Sequence, residues 1–255
     1  MNKIIYIIIL DILRNKTVLI YTLALSVLSW SVFSLEDNST KGILTILNLI
    51  LLIVPLVAIV FSTIYLYNSS EFIELLLSQP VKRSKIWSGL YFSLLIALIF
   101  SFMVGVGIPL LLFASWELGC MMCLIGICIS SIFVSLGFLS AIATRDKARG
   151  IGFAILLWLF FALLFDGIIF FLLFQFSDYP IEKAMVGITA FNPIDLARIA
   201  ILLHLDVSAM MGYTGAVFKE FFGTTLGLII TFLILLLWLL CPYFVSLFKF
   251  NKKDL

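Results

Sequence analysis

Cys120-Met121-Met122-Cys123 places two thiols and two thioethers within one helical turn, and soft sulfur donors of this kind suit copper(I). His204, Met210 and Met211 lie further along the chain and could add donors. Against this stands ordinary packing, because Cys and Met fill gaps in apolar helices, and packing is the favoured reading of all these residues. A disulfide between Cys120 and Cys123 is disfavoured, since positions i and i+3 of a regular helix give it poor geometry.

Other catalytic chemistry is missing. His204 is the sole histidine, so neither a His-pair metal motif nor a Ser-His-Asp arrangement can be assembled around several candidates. No Gly-x-x-x-x-Gly-Lys-Ser/Thr loop occurs, so the chain is not expected to hydrolyse nucleotide. One acid does stand where acids are rare: Asp166 follows a long apolar run, roughly 22 Å from its start at 1.5 Å per residue. A charge near mid-bilayer costs on the order of 3 kcal/mol, so Asp166 must face protein or water, or be protonated. It is either a polar point on a translocation path or subunit interface, or an internally hydrogen-bonded structural acid, and both readings stay open.

The elements that must position these residues are membrane helices. Of the residues 64% are hydrophobic and only 12% charged, less than half the charge of an ordinary soluble domain. Six runs are long enough to cross a bilayer as helices: Thr17–Leu35, Ile43–Tyr67, Ile86–Phe113, Gly119–Ala143, Ile151–Phe174 and Gly223–Phe248. A β-barrel is excluded, because its strands would be about 10 residues long with alternating polarity. Pro55 and Pro109 are expected to kink the second and third runs. The fold expected is therefore an all-α polytopic membrane protein forming a single domain over residues 1–255.

Residues 1–16 read as an interfacial helix rather than a signal peptide, because Asp11 interrupts the apolar stretch and no small-residue cleavage site follows. Twelve of the sixteen Lys and Arg fall on one side of a six-span topology, leaving Lys41, Lys183, Arg198 and Lys219 on the other. The richer side, which carries both termini, is expected to be cytoplasmic. These cations serve topology and contacts with anionic lipid, so no nucleic-acid partner is implied. Cysteines introduced at Ser39 and Ser177 are accordingly predicted to label from outside in spheroplasts, and one at Ser84 to stay unlabelled; labelling at Ser84 would reverse the orientation.

Two connections are large enough to carry function. In the cytoplasmic segment 68–85, Ser70 suits an N-cap, Glu71 and Glu74 suit a first turn, and Pro80 stops the helix near Gln79. Phe72, Ile73, Leu75, Leu76 and Leu77 make it too apolar for a free loop, so lipid or protein must cover it. In the external segment 175–222, Asn192-Pro193-Ile194-Asp195 has helix-start chemistry, and the helix should reach about Leu205 on, or dipping into, the outer membrane face. Asp195 and Arg198 are i, i+3 neighbours able to pair on its surface.

This arrangement of six spans, a cytoplasmic amphipathic helix between the second and third, and no ATPase resembles the permease subunit of a type-2 ABC transporter. The segment Glu71–Arg83 is similar to that family's coupling helix, with Lys82 standing where Ser is commoner, and the resemblance assigns ATPase coupling to Glu71, Phe72, Glu74, Leu75, Leu76, Pro80 and Arg83. Within the family, Arg145-Asp-Lys-Ala-Arg-Gly150 leading to Trp158, Leu164-Phe165-Asp166, and Asn192-Pro193-Ile194-Asp195-Leu196-Ala197-Arg198 resemble the NosY branch, which serves maturation of nitrous oxide reductase. That resemblance implies a bacterial inner-membrane homodimer with two NosF-like ATPases that carry ATP and Mg, so that this chain holds no cofactor of its own. It also implies a periplasmic β-helical partner like NosD, a copper chaperone nearby, and docking or relay roles for Asn192, Pro193, Asp195, Arg198 and Asp166. The alternative is a type-2 exporter permease for a lipid, drug or polysaccharide.

Overall fold

The computed structural model describes residues 2–36, 39–176, 187–205 and 225–252. These are helical almost throughout, without a strand among them, and six helices are long and apolar enough to cross a membrane. The protein is an all-α polytopic membrane protein. The first span is Lys16–Leu35, the second Ser39–Asn68 and the fourth Trp116–Ala143. The third runs as Arg83–Phe102, a π turn Met103–Gly107, and Ile108–Phe113. The fifth is similarly divided into Lys147–Leu159, a π turn Phe160–Leu164, and Phe165–Gln175; the sixth is Thr225–Lys252.

The fourth span is the hub. Its apolar window is 78% buried, against 22%, 17% and 17% for the first, fifth and sixth spans, which turn broad apolar faces outward as lipid-facing helices do. It packs against the second, third and sixth spans. Small residues permit that approach: a Cβ on Gly137 would stand 2.8 Å from the Ile59 carbonyl, and one on Gly126 would enter the Phe102 ring. Gly137→Ala is expected to destabilise the protein by about 1–3 kcal/mol, because the obstacle is backbone. Gly152→Ala meets nothing within 4 Å and should be neutral or mildly stabilising, so paired thermal unfolding in detergent checks the packing.

Many serine hydroxyls inside the bundle are satisfied within their own helix. Ser62, Ser93, Ser130, Ser135 and Ser140 each donate to the carbonyl four residues earlier. Such bonds let a hydroxyl sit in hydrocarbon at little cost. The prolines behave differently from one another. The second helix runs unbroken through Pro55, with Trp158 Nε1 donating to the Leu52 carbonyl beside it at 3.1 Å. Pro109 has no N–H for the Gly105 carbonyl, and Ser29 Oγ of the first span supplies that bond at 2.7 Å. The chain accommodates Pro109 with the π turn just before it. A third proline, Pro242, lies inside the sixth span and was not singled out from sequence.

The N-terminal helix Asn2–Arg14 forms as expected, and its Ile8 and Ile12 are buried against the third span, with Asp11 and Arg14 exposed.

Candidate functional site

Two sites, one at each end of the bundle, gather the coupling and docking residues expected from sequence. At the face that the charge asymmetry assigns to the cytoplasm, residues Ser70–Leu77 form an eight-residue helix. Its N-cap is Ser69, one residue earlier than expected, and makes no side-chain capping bond. Glu71 lies in the first turn and Glu74 does not, because a start at Ser70 leaves room only for Glu71. The helix ends at Leu77, and Ser78 closes it by donating through Oγ to the Leu75 carbonyl at 2.8 Å.

Its apolar residues divide by direction. Ile73 and Leu76 are buried against the bundle, whereas Phe72 is 41% and Leu75 66% exposed. An exposed pair beside two acids is a surface that another protein can cover. Pro80 and Arg83 follow in the turn leading to the third span, Arg83 being its first residue. Behind the helix lies a cavity of about 240 Å³ lined by Ser70, Ile73 and Glu74 together with Trp87 of the third span, Ala141 of the fourth and Phe250 of the sixth. Trp87 stacks on Phe250 at 4.4 Å and donates to Ser246 Oγ at 3.1 Å, which ties the third and sixth spans beneath the helix.

The loop Thr144–Gly150 is fastened beside it. Tyr67 Oη shares a hydrogen bond with Thr144 Oγ1 at 2.7 Å, Lys147 Nζ donates to Asn68 Oδ1 at 2.7 Å, and Asp146 caps the fifth span through the Arg149 N–H at 2.8 Å. Gly150 has a steric reason: a Cβ there would collide with Tyr67 Oη.

A charge reversal at Glu71 and Glu74 tests this surface. If this surface meets an ATPase, as the resemblance implies, Glu71→Lys with Glu74→Lys should weaken that association while leaving membrane insertion intact. Glu71→Lys also opposes the helix dipole by about 0.3–1 kcal/mol, an effect Glu74 does not share, so Gln variants run alongside separate contact from helix weakening. Unchanged copurification with both Lys variants would remove these acids from the interface.

At the opposite end, residues Pro193–His204 form the outer helix. Asn192 caps it, its Oδ1 accepting from the Ile194 N–H at 3.0 Å, with Pro193 at the first helical position. The expected pairing of Asp195 with Arg198 is present at 3.1 Å, but it is not a surface pair. Asp195 is only 5% exposed, and Ile194, Leu196, Ala197, Ile199, Ala200 and Ile201 are buried around it. The helix is set into the bundle against the fourth and sixth spans and the π turn of the fifth. An apolar helix with residues buried on every side must dip between its neighbours rather than lie on them.

Asp166, the first-turn acid of the segment after the fifth-span π turn, faces this helix. Arg198 Nη1 donates to Asp166 Oδ2 and to Asp195 Oδ1, both at 3.1 Å, so one guanidinium joins two carboxylates 29 positions apart in sequence. Arg198 Nε is buried and finds no acceptor among the described residues. Asn192 completes the cluster: Nδ2 donates to Asp195 Oδ2 at 2.7 Å and to the Phe161 carbonyl at 2.9 Å. That carbonyl lies in the π turn, where the Phe165 N–H bonds back to Phe160 instead. Asn192 thus caps one helix and occupies a carbonyl that the π turn of another sets free.

Asn192→Ala should lose about 0.5–2 kcal/mol from the cap alone and leave the Phe161 carbonyl without that donor. Hydrogen exchange over 193–204 should speed up while exchange in the fourth span stays slow. Equal protection in both regions would contradict the capping role.

The sulfur residues separate. Met122 and Cys123 are buried in the apolar core of the fourth span, and Cys120 and Met121 are partly covered; all four cysteines are free. No group of three or more His, Cys, Asp or Glu suited to a metal occurs among the described residues. Met210, Met211, Lys183 and Lys219, with the rest of 177–186 and 206–224, lie outside the described residues.

Sequence reasoning singled out Asp166, Asp195 and Arg198 but did not join the first to the other two. It missed the Tyr67–Thr144 bond and both π turns. No curated protein matches this chain. The model of the family described as ABC-2 family transporter protein matches residues 5–255, and the chain belongs to that family.

Proposed function

We propose that this permease subunit passes ATP-driven movement from the helix Ser70–Leu77 to the outer helix Pro193–His204, and that its ATPase partner sits on Phe72, Leu75, Glu71 and Glu74. The observation that supports this is shared support at both ends. The fourth and sixth spans line the cavity behind the cytoplasmic helix through Ala141 and Phe250, and the same two spans pack on the outer helix, while Trp238 Nε1 donates to the Ala190 carbonyl in the turn before it at 3.1 Å. The short helix packs on the second and third spans, which pack in turn on the fourth, so a displacement of it passes to elements that also bear on the outer one. The Asp166–Arg198–Asp195 cluster makes the fifth span follow, through a π turn of the kind often found at functional sites.

The role we assign is the NosY-like one: a homodimer in a bacterial inner membrane, driven by two NosF-like ATPases with ATP and Mg, and serving a NosD-like periplasmic partner in copper-site assembly of nitrous oxide reductase. The support is that Asn192, Asp195, Arg198 and Asp166, on which the resemblance rests, form one bonded cluster. Deleting the gene and measuring copper per purified reductase tests it. Copper-deficient reductase, restored by the wild-type gene but not by the gene with an ATPase-dead partner, is expected. Full loading in the deletion strain would refute this role and return the chain to the exporters of lipid, drug or polysaccharide.

A further inference from the structure

A second cavity, of about 380 Å³, opens at the cytoplasmic ends of the fourth and sixth spans. Arg145, Lys249 and Lys252 line it, with Ile142, Ala143, Thr144 and Phe248 between them, and its lining contains no acid. None of the three cations takes part in an ion pair among the described residues. Arg145 also borders the neighbouring cavity that contains Glu74, and the two are not bonded. Lys252 Nζ sits 4.2 Å over the Phe248 ring, which holds one cation at the cavity's apolar wall.

Three like charges at one mouth repel each other unless an anion joins them. The depth selects the anion, because the mouth lies where the last apolar turns of two spans give way to Lys and Arg, at the level of inner-leaflet headgroups. We propose that this cavity binds the phosphate headgroup of an anionic phospholipid, with Arg145, Lys249 and Lys252 around the phosphate and Ile142 and Phe248 against the start of the acyl chains. Arg145 suits a phosphate bidentately, and the two lysines add point charges on the other side. Since Arg145 also borders the cavity behind the short cytoplasmic helix, a lipid here touches the loop that shares that cavity with the helix.

The test uses the purified permease–ATPase complex, delipidated in detergent and titrated with phosphatidylglycerol, phosphatidylcholine or inorganic phosphate. Retained lipid is read by native mass spectrometry and stability by thermal shift. Phosphatidylglycerol should bind and stabilise, and the other two should not. The variant Arg145→Gln/Lys249→Gln/Lys252→Gln should bind it on the order of 100-fold more weakly, since each surface cation contributes roughly fivefold. Lys249→Arg/Lys252→Arg, which keeps the charge, should bind normally and guards against misfolding of the neutral variant. Arg14→Gln/Lys16→Gln/Lys85→Gln, three exposed cations elsewhere on the same face, should bind normally as well. An equal loss in that control would show a diffuse surface effect and overturn the site. Equal stabilisation by inorganic phosphate would overturn the lipid, and unchanged lipid retention with loss of the ATPase would make these cations a partner contact instead.

Discussion

Arg198→Met is expected to be the most damaging single substitution in the outer half of the protein, lowering stability by about 3–5 kcal/mol. It leaves Asp166 and Asp195, which now share one guanidinium, facing each other without a cation. Loss of one partner from such a cluster costs more than loss of the whole, because the cost is that of unpaired charge at membrane depth. The triple variant Asp166→Asn/Arg198→Met/Asp195→Asn should therefore recover most of the lost stability, read as the midpoint of thermal unfolding in detergent. Function should divide from stability there. If the cluster makes the fifth span follow the outer helix, the triple variant folds and hydrolyses ATP with its partner but fails in the transporter's external task. Triple-variant activity equal to wild type would reduce the cluster to a structural pair.

Leu75→Glu should lower ATPase copurification and permease-stimulated hydrolysis by tenfold or more. Leu75 is 66% exposed and neighbours the exposed Phe72, so it is the apolar anchor most available to a groove on a partner. Truncation of a well-packed anchor costs about 2 kcal/mol or more, and a buried carboxylate in its place costs further. The inward neighbour separates the causes. Ile73→Glu buries an acid against the bundle and should reduce folded protein, whereas Leu75→Glu should leave folding intact. Normal copurification with Leu75→Glu would remove this helix from the ATPase interface.

The sequence disclosed the spans because their signal is local: an apolar run of bilayer length reads the same whichever neighbour it later packs against. The outer helix was legible for the same reason, since Asn192-Pro193 is start chemistry complete within two residues. What surrounds that helix was not legible. The i, i+3 spacing of Asp195 and Arg198 fits a solvated pair, and nothing local announces that Asp166, on another span, is the second acid. The π turns were equally hidden, because Phe160–Leu164 is an apolar stretch without a marker of its own. Met103–Gly107 had a marker in Pro109, read only as a kink, while the serine that serves the freed carbonyl lies on the first span. At the cytoplasmic helix the start was misplaced by one residue and the end by two, Leu77 in place of Gln79. Ser69 and Ser70 are both chemically able to cap, and the choice between them depends on where the second span ends.

Under the proposed function, movement reaches the outer helix from the cytoplasmic one. Phe191, 70% exposed and adjacent to Asn192, can carry a spin label as Phe191→Cys once Cys120, Cys123, Cys128 and Cys241 are replaced. In the complete transporter, reconstituted in lipid nanodiscs, the label's mobility and its distance to the same label in the second copy are measured with and without trapped ATP. A shift on ATP trapping, absent when Leu75→Glu is introduced, is the predicted result. An identical spectrum and distance in both nucleotide states, with ATP hydrolysis intact, would contradict the account.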